Sequence, residues 1–176
     1  MEKALIVIDV QTCYLKQKKD QKDVDQLIAT VNDTLKNARE KQIPILFVEH
    51  EYEGRLIRWM MKKFMGGAGL RESKDFATDP RIDKQNETTM IKTTGDCFQN
   101  AEIANWVIEQ GAKDVVIVGQ DGMYCIKSSI IGALKNSYNV LLVEGGVIAQ
   151  NQKGWNSFKQ KMVASGEVLL TDFKLL

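Results

Sequence analysis

Several features that assign a chain to a common class of protein are scarce in this sequence. Its 176 residues include three cysteines, two prolines and one histidine, and the formal net charge at pH 7 is +1. This balance gives neither the basic surplus of a nucleic-acid-binding protein nor an acidic tail. No apolar run approaches the roughly 20 residues that span a bilayer. We therefore expect no nucleic-acid partner and no membrane partner.

The cysteines and the N-terminus indicate where the protein resides. Three cysteines are an odd number without metal-type spacing, which is typical of free thiols in a reducing compartment. The opening MEKALIVIDV has no cleavage site after a helical apolar core, so it is not read as a signal peptide. We expect a cytoplasmic protein, and the length suits a single domain over residues 1–176.

Short apolar runs alternate with stretches of helical periodicity along most of the chain. The runs predicted as strands are 4–8, 43–48, 89–91, 115–119, 140–143 and 168–170. The stretches predicted as helices are 24–38, 96–110, 126–134 and 154–165. This alternation predicts an α/β fold: a doubly wound, mainly parallel sheet of about six strands with helices on both faces, a Rossmann-like three-layer α/β/α arrangement.

Polar residues that could take part in catalysis follow the predicted strands. Asp9 ends the first strand, Glu49 and His50 end the second, Lys92 follows the third, and Cys125 lies in the turn after the fourth. Because the carboxyl ends of parallel strands meet at one edge of a sheet, we expect these side chains to lie close together. The set contains a nucleophile, a carboxylate that can take its proton, and a fixed cation.

Cys125 falls at or near the first turn of a predicted helix. Unpaired N–H groups and the positive end of the helix dipole favour an anion there, so we expect the pKa of the thiol to be lowered. The turn alone leaves open a buried structural cysteine. The strand-end positions of Asp9 and Lys92 favour the reactive interpretation.

Three motifs, in the same order as in a known family, extend across nearly the whole chain. They are an aspartate after the first strand followed by glutamine and an aromatic residue, a lysine six residues before a helix-opening phenylalanine, and a strand-Gly-x-x-x-x-x-Cys turn. The matching residues are Asp9, Gln11 and Tyr14, then Lys92 and Phe98, then Gly119 and Cys125. In these motifs the chain resembles the isochorismatase-like family of cysteine hydrolases, which includes nicotinamidases and other small amidases.

The resemblance implies a set of site residues. Asp9, Lys92 and Cys125 would form a catalytic triad, and no cofactor is expected. A non-proline cis peptide would join Gln120 to Asp121. The backbone N–H groups of Asp121 and Cys125 would be the donors of an oxyanion hole.

The turn before Cys125 departs from the family pattern. Gln120 and Asp121 stand where small apolar residues are usual, and Gly122 replaces a threonine. The residues and the resemblance predict a hydrolase that cleaves an amide-type C–N bond of a small molecule through a thioester. One alternative is vinyl ether hydrolysis of the isochorismatase type, using Asp9 without covalent catalysis. A catalytically silent small-molecule-binding protein of the same fold is another.

The pocket residues, metal binding and the oligomeric state are predicted less directly. The possible pocket residues are Gln11, Tyr14, His50, Trp59 and Gln120. Nicotinamidases of the family bind a metal through an aspartate and two histidines, so with a single histidine we expect no metal site. Family members commonly form dimers or tetramers, and we expect a homodimer or homotetramer.

Residues 55–65, RLIRWMMKKFM, are predicted to form a short helix with a broad apolar face and cationic flanks. Packing of this face on the core is the favoured interpretation, and it would bury Met60 and Phe64. A subunit contact or substrate lid is the alternative, and a membrane-surface helix is a third.

Overall fold

A computed structural model describes residues 2–176 and contains one sheet of six parallel strands in the order β3-β2-β1-β4-β5-β6. The strands are β1 (Lys3–Ile8), β2 (Ile45–His50), β3 (Thr88–Lys92), β4 (Asp114–Gly119), β5 (Asn139–Val147) and β6 (Val168–Thr171). The helices are α1 (Thr12–Leu15), α2 (Gln21–Glu40), α3 (Arg55–Phe64), α4 (Ala101–Glu109), α5 (Lys127–Lys135) and α6 (Gln152–Ala164). The predicted fold class is confirmed.

The central strand shows why the sheet needs helices on both faces. In β1, Ala4, Ile6 and Ile8 join one apolar core, which also contains side chains of α4, α5 and α6. Leu5 and Val7 point the other way into a second core formed largely with α2. All five side chains are fully buried. A strand covered on both faces reads as a continuous apolar run, which is how the sequence presents it.

Some boundaries differ from the sequence prediction because polar side chains set them. The helix predicted from residue 24 begins at Gln21, where the Asp20 side chain accepts from the N–H of Lys22. The helix predicted over 96–110 is divided into a 3₁₀ turn and α4. Asn100 causes this division: its side chain accepts from Glu102 N–H and donates to the carbonyl of Ile91.

The prediction that the helix at residues 55–65 packs on the core is wrong. The α3 helix forms, but none of its residues is buried. Trp59 is 53% exposed and Phe64 is 65% exposed. Ion pairs tie the helix to the body, with Arg58 contacting Glu51 and Glu72. Helix propensity therefore accounts for the formation of α3. These ion pairs, and not core burial, account for its position.

The sheet topology locates a crevice. The chain leaves β1 toward β2, whereas β4 returns on the other side of β1, so the strand order reverses between β1 and β4. Ligands of open parallel sheets bind at such a point, outside the carboxyl ends of the strands. Within residues 2–176, no helix is both long and apolar enough to cross a membrane.

Candidate active site

The ends of three strands bring Asp9, Lys92 and Cys125 together. Asp9 follows β1, Lys92 is the last residue of β3, and Cys125 lies in a π-helical turn after β4, residues Gly122–Ile126. Lys92 Nζ lies 2.9 Å from Asp9 Oδ2 and 3.1 Å from Cys125 Sγ. The edge of the sheet thus assembles the three side chains that the strand ends predicted.

The ammonium of Lys92 is buried and fully partnered. Its side chain has no exposed surface, and its third contact is with His50 Nδ1 at 3.2 Å. An ammonium has three protons and no acceptor, so Nδ1 must accept and the neutral imidazole carries its proton on Nε2. Three donors and three acceptors fix the direction of every N–H bond of Lys92.

Asp9 keeps one carboxylate oxygen unoccupied. Oδ2 accepts from Lys92, whereas Oδ1 is buried and meets no hydrogen-bond donor in the described part of the chain. The backbone of Asp9 has a φ of 55°, which is uncommon for a residue with a side chain, and its N–H donates to the carbonyl of Val48. Gln120 Nε2 donates to the Asp9 carbonyl, which further holds the residue.

The expectation of a lowered thiol pKa at Cys125 is wrong. Burial raises the pKa of Cys125 to about 12, and the negative charge of Asp9 adds to this effect against the opposing charge of Lys92. Burial likewise raises the pKa of Asp9, although Lys92 opposes it. Burial disfavours the ammonium of Lys92, but the neighbouring acids outweigh it and raise its pKa. The resting nucleophile is therefore a thiol, and the ammonium of Lys92 lies beside it and Asp9.

His50 is neutral in this environment. Burial, followed by the charge of Lys92, lowers the pKa of His50 to about 4. Its ring meets Tyr52 edge to face, with 4.7 Å between centroids. The imidazole therefore orients Lys92 as an uncharged acceptor and also forms part of the pocket wall.

The turn that carries Cys125 approaches β1 closely. Gly119 has a φ of 126°, and a Cβ there would overlap the carbonyl oxygen of Ile8. The peptide between Gln120 and Asp121 is cis, as the resemblance implied. The N–H groups of Tyr124 and Ile126, the residues on either side of Cys125 in the sequence, both donate to the carbonyl of Asp121.

A cavity of about 780 Å³ opens over this group. Asp9 and Cys125 lie in its lining, together with Tyr14, His50 and Gln120 of the predicted pocket set. The apolar and aromatic side chains of the lining that were not predicted from the sequence include Tyr52, Met61, Met65, Tyr124 and Ile148. Charged and amide side chains, including Lys19, Asp20 and Gln152, make up much of the rest.

Two residues of the predicted pocket set do not line this cavity. Gln11 is fully buried and clamps two chain segments: its Nε2 donates to Phe76 O, and its Oε1 accepts from the N–H of His50. Trp59 projects to solvent beside Phe64 and Lys63. Gln11 positions the strand end that carries His50, whereas Trp59 has no such role.

The sequence contained a partial signal for the missed residues. Met61 in α3 and Met65, the residue that follows the helix, are four residues apart, and both line the cavity. Tyr52 follows His50 by two residues, so both fall on the same side of an extended strand end. Lys18 and Gln150, which lie at the rim, gave no signal because each lies in a loop of polar residues.

The donor set does not fit a metal ion. Among residues 2–176, no three His, Cys, Asp or Glu side chains are grouped as ligands. The imidazole Nδ1 of His50 points at the Lys92 cation, which would repel a metal ion there. Glu49 is engaged elsewhere, accepting from the N–H and hydroxyl of Thr78.

Comparison with known proteins gives a consistent family match. The model of the family described as Isochorismatase domain matches residues 3–172. The uncharacterized isochorismatase family protein YddQ of Bacillus subtilis (strain 168) is 25% identical over 145 residues. This similarity covers 82% of this chain and 76% of that protein.

Solved structures with similar folds include two amidases. N-carbamoylsarcosine amidase from Thermoplasma acidophilum has a TM-score of 0.82 at 15% identity, covering 98% of this chain and 97% of its own. Pyrazinamidase of Pyrococcus horikoshii in complex with zinc has a TM-score of 0.80 at 19% identity, covering 98% and 99%. At these identities the similarity concerns the fold alone.

Proposed function

Since this chain belongs to the isochorismatase family and has its hydrolase fold, we propose that it is a cysteine hydrolase that cleaves an amide-type C–N bond of a small molecule. Cys125 is the proposed nucleophile, Asp9 the general base and acid, and Lys92 the cation that balances them. The names of the two structural neighbours, an N-carbamoylsarcosine amidase and a pyrazinamidase, support the choice of bond.

The observation that carries this proposal is the unequal use of the two oxygens of Asp9. Lys92 bridges Oδ2 and the Cys125 sulfur, which fixes the carboxylate beside the thiol. Oδ1 is left without a donor in a buried position. A buried acceptor without a partner is unfavourable in a purely structural ion pair, but it suits a base that must receive a proton.

Acylation would begin from the neutral thiol. Asp9 Oδ1 takes the thiol proton as Cys125 Sγ bonds to the carbonyl carbon, so the net charge of the buried group is unchanged. The oxyanion that forms is stabilised by the N–H groups of Asp121 and Cys125 and by the nearby Lys92. The C–N bond then breaks, the amine leaves with the proton from Asp9, and a thioester remains.

Deacylation would use the same groups in the reverse sense. Asp9 takes a proton from water as the water oxygen attacks the thioester carbon. The second oxyanion collapses, the C–S bond breaks, and Cys125 recovers its proton from Asp9. The raised pKa of Asp9 helps both steps because it makes the carboxylate a stronger base than a solvent-exposed aspartate.

A screen of small amides, ureas and carbamates on the wild type and Cys125→Ala tests the proposal. We expect the variant to lose about 10³-fold or more in kcat on the best substrate, since no covalent intermediate can form. Cys13→Ala, which removes a buried thiol that is absent from the cavity lining, is the matched control and should retain activity.

The alternatives give different results in the same screen. Unchanged turnover in Cys125→Ala would contradict covalent catalysis. A vinyl ether added to the screen, if hydrolysed equally by both proteins, would favour vinyl ether chemistry through Asp9. No turnover by the wild type, with saturable binding of the same compounds, would favour a silent binding protein.

A further inference from the structure

The carboxylate of Asp121, a departure from the family pattern, is held from three directions. It accepts from the N–H of Met123 at 3.0 Å and from the N–H of Gln150. Lys18 Nζ lies 2.7 Å from Oδ2. The three donors belong to the nucleophile turn, the loop after β5, and the segment between α1 and α2. Lys18, Asp121 and Gln150 all line the rim of the cavity.

Further bonds make this junction rigid. The N–H of Gly122 donates to the carbonyl of Ile148, and the N–H of Ile148 donates to the carbonyl of Gly119. The carbonyl of Lys18 accepts from the side chain of Gln21 at the start of α2. The backbone of Lys18 is therefore joined to the first residue of α2.

The position of Asp121 creates an electrostatic conflict. Its backbone N–H is a proposed oxyanion donor, yet its side chain brings a negative charge into the same turn, four residues before the nucleophile. Such a charge opposes an anion developing nearby. The side chains of Lys18 and Asp121 are only 18% and 14% exposed, so water screens this charge poorly.

We propose that Lys18 and Asp121 are a positioning pair for the hydrolytic step, in which Asp121 fixes the oxyanion donors and Lys18 neutralises its charge. This inference rests on the proposed function. The Asp121 carboxylate holds the N-terminal turn of the nucleophile segment through Met123 and joins it to the loop at Gln150. Lys18 allows that carboxylate to be there without repelling the oxyanion or the thiolate.

Three variants separate positioning from structural support. Lys18→Met removes the cation and leaves the carboxylate unpaired. Asp121→Asn removes the charge but keeps an oxygen that can accept from Met123. The double variant removes both charges. Lys16→Met is the matched control. Lys16 lies two residues before Lys18 in the sequence and forms an ion pair with Asp75 at 3.1 Å, and this pair is far more exposed.

We expect Lys18→Met to lower kcat about tenfold with little change in KM, because misplacement and repulsion act on the transition state. Adding Asp121→Asn should restore kcat to within about threefold of the Asp121→Asn single variant, since no charge remains to neutralise. Lys18→Arg and Lys16→Met should resemble the wild type. A pair that only supported the fold would show its loss and rescue in the free energy of unfolding, and kcat of the folded variants would stay at the wild-type value.

The inference is overturned if Lys18→Met leaves kcat unchanged, or if the double variant is no faster than Lys18→Met. Cys125→Ala in the same assay tests the proposed function separately, so either can fail alone. If the wild type hydrolyses nothing in the screen, the second-order rate of Cys125 alkylation by iodoacetamide replaces kcat. Lys18→Met should then react several-fold more slowly, with the same rescue, and equal rates would overturn the pair.

Discussion

Beneath the cavity, this protein buries an ammonium, a carboxylate and its only histidine, whereas beside the cavity it leaves an apolar helix in solvent. Lys92 and Asp9 are 1% and 3% exposed. In α3, Leu56 is 69% exposed and Phe64 is 65% exposed. The two regions reverse the usual distribution of polar and apolar side chains.

The difference shows that the presence of a hydrogen-bonding or packing partner, more than polarity, decides where a side chain is stable in this protein. Each N–H of Lys92 has an acceptor, so its burial leaves no donor unsatisfied. The exposed apolar side chains of α3 have no matching surface among the described residues, and the anchors of the helix are the cationic side chains that pair with Glu72. Three predictions test this contrast.

The largest effect is expected at the buried ion pair. Lys92→Met should lower the free energy of unfolding at pH 7 by about 3–5 kcal/mol, because it leaves the buried Asp9 carboxyl without its cation. Asp9→Asn combined with Lys92→Met should recover a substantial part of this loss. Urea denaturation of the wild type and the variants measures both.

The exposed Lys16–Asp75 pair provides the control for this experiment. Lys16→Met should change the free energy of unfolding by less than about 1 kcal/mol, as is typical of surface pairs. Equal losses in Lys16→Met and Lys92→Met would show that burial adds nothing to the dependence of Asp9 on its partner.

The second effect concerns pH and the neutral His50. In the unfolded chain this histidine is protonated near the ordinary pKa of 6.5, whereas in the folded protein its pKa is about 4. Between these values the unfolded state binds the extra proton, so stability falls as pH falls, by up to about 1.4 kcal/mol per pH unit.

Replacing the imidazole isolates this contribution. His50→Asn retains an acceptor for Lys92 but does not titrate, so its stability should depend less steeply on pH between 6.5 and 4. Urea denaturation at several pH values in this range measures the two slopes. His50 is the only histidine in the sequence, so parallel curves for the two proteins would mean that its pKa is not lowered by folding.

The smallest effect is expected on α3. Leu56→Ser and Phe64→Ser should each change the free energy of unfolding by about 0.5 kcal/mol or less, because both side chains are already in water. Leu27→Ala in α2 removes a fully buried side chain and should cost about 2–5 kcal/mol. A larger loss in α3 that grows with protein concentration would reveal a second copy covering this face.

Much of the fold and the proposed triad could be predicted from the sequence. Fully buried parallel strands need apolar runs, so β1 and β4 are visible as Ala4–Ile8 and Val115–Gly119. Since such strands end together, the polar residues after them had to meet. Asp9, Lys92 and Cys125 were identified for this reason, and the family motifs pointed to the same three.

The long segment between β2 and β3 was predicted poorly. A helical repeat with apolar residues favours core packing, yet α3 lies at the surface. No local pattern states whether a complementary surface exists elsewhere in the chain. The same limit explains why Trp59 was assigned to the pocket in place of Met61 and Met65.

By itself the sequence determined which groups would share the edge of the sheet, because strand ends follow from local patterns and parallel strands end at the same edge. Only the tertiary structure decided the state of those groups. The helix start predicted an acidic thiol at Cys125, but burial and the neighbouring Asp9 charge raise its pKa. Desolvation and charge proximity depend on all the segments that surround a side chain, whereas a sequence pattern describes only the segment that contains that side chain.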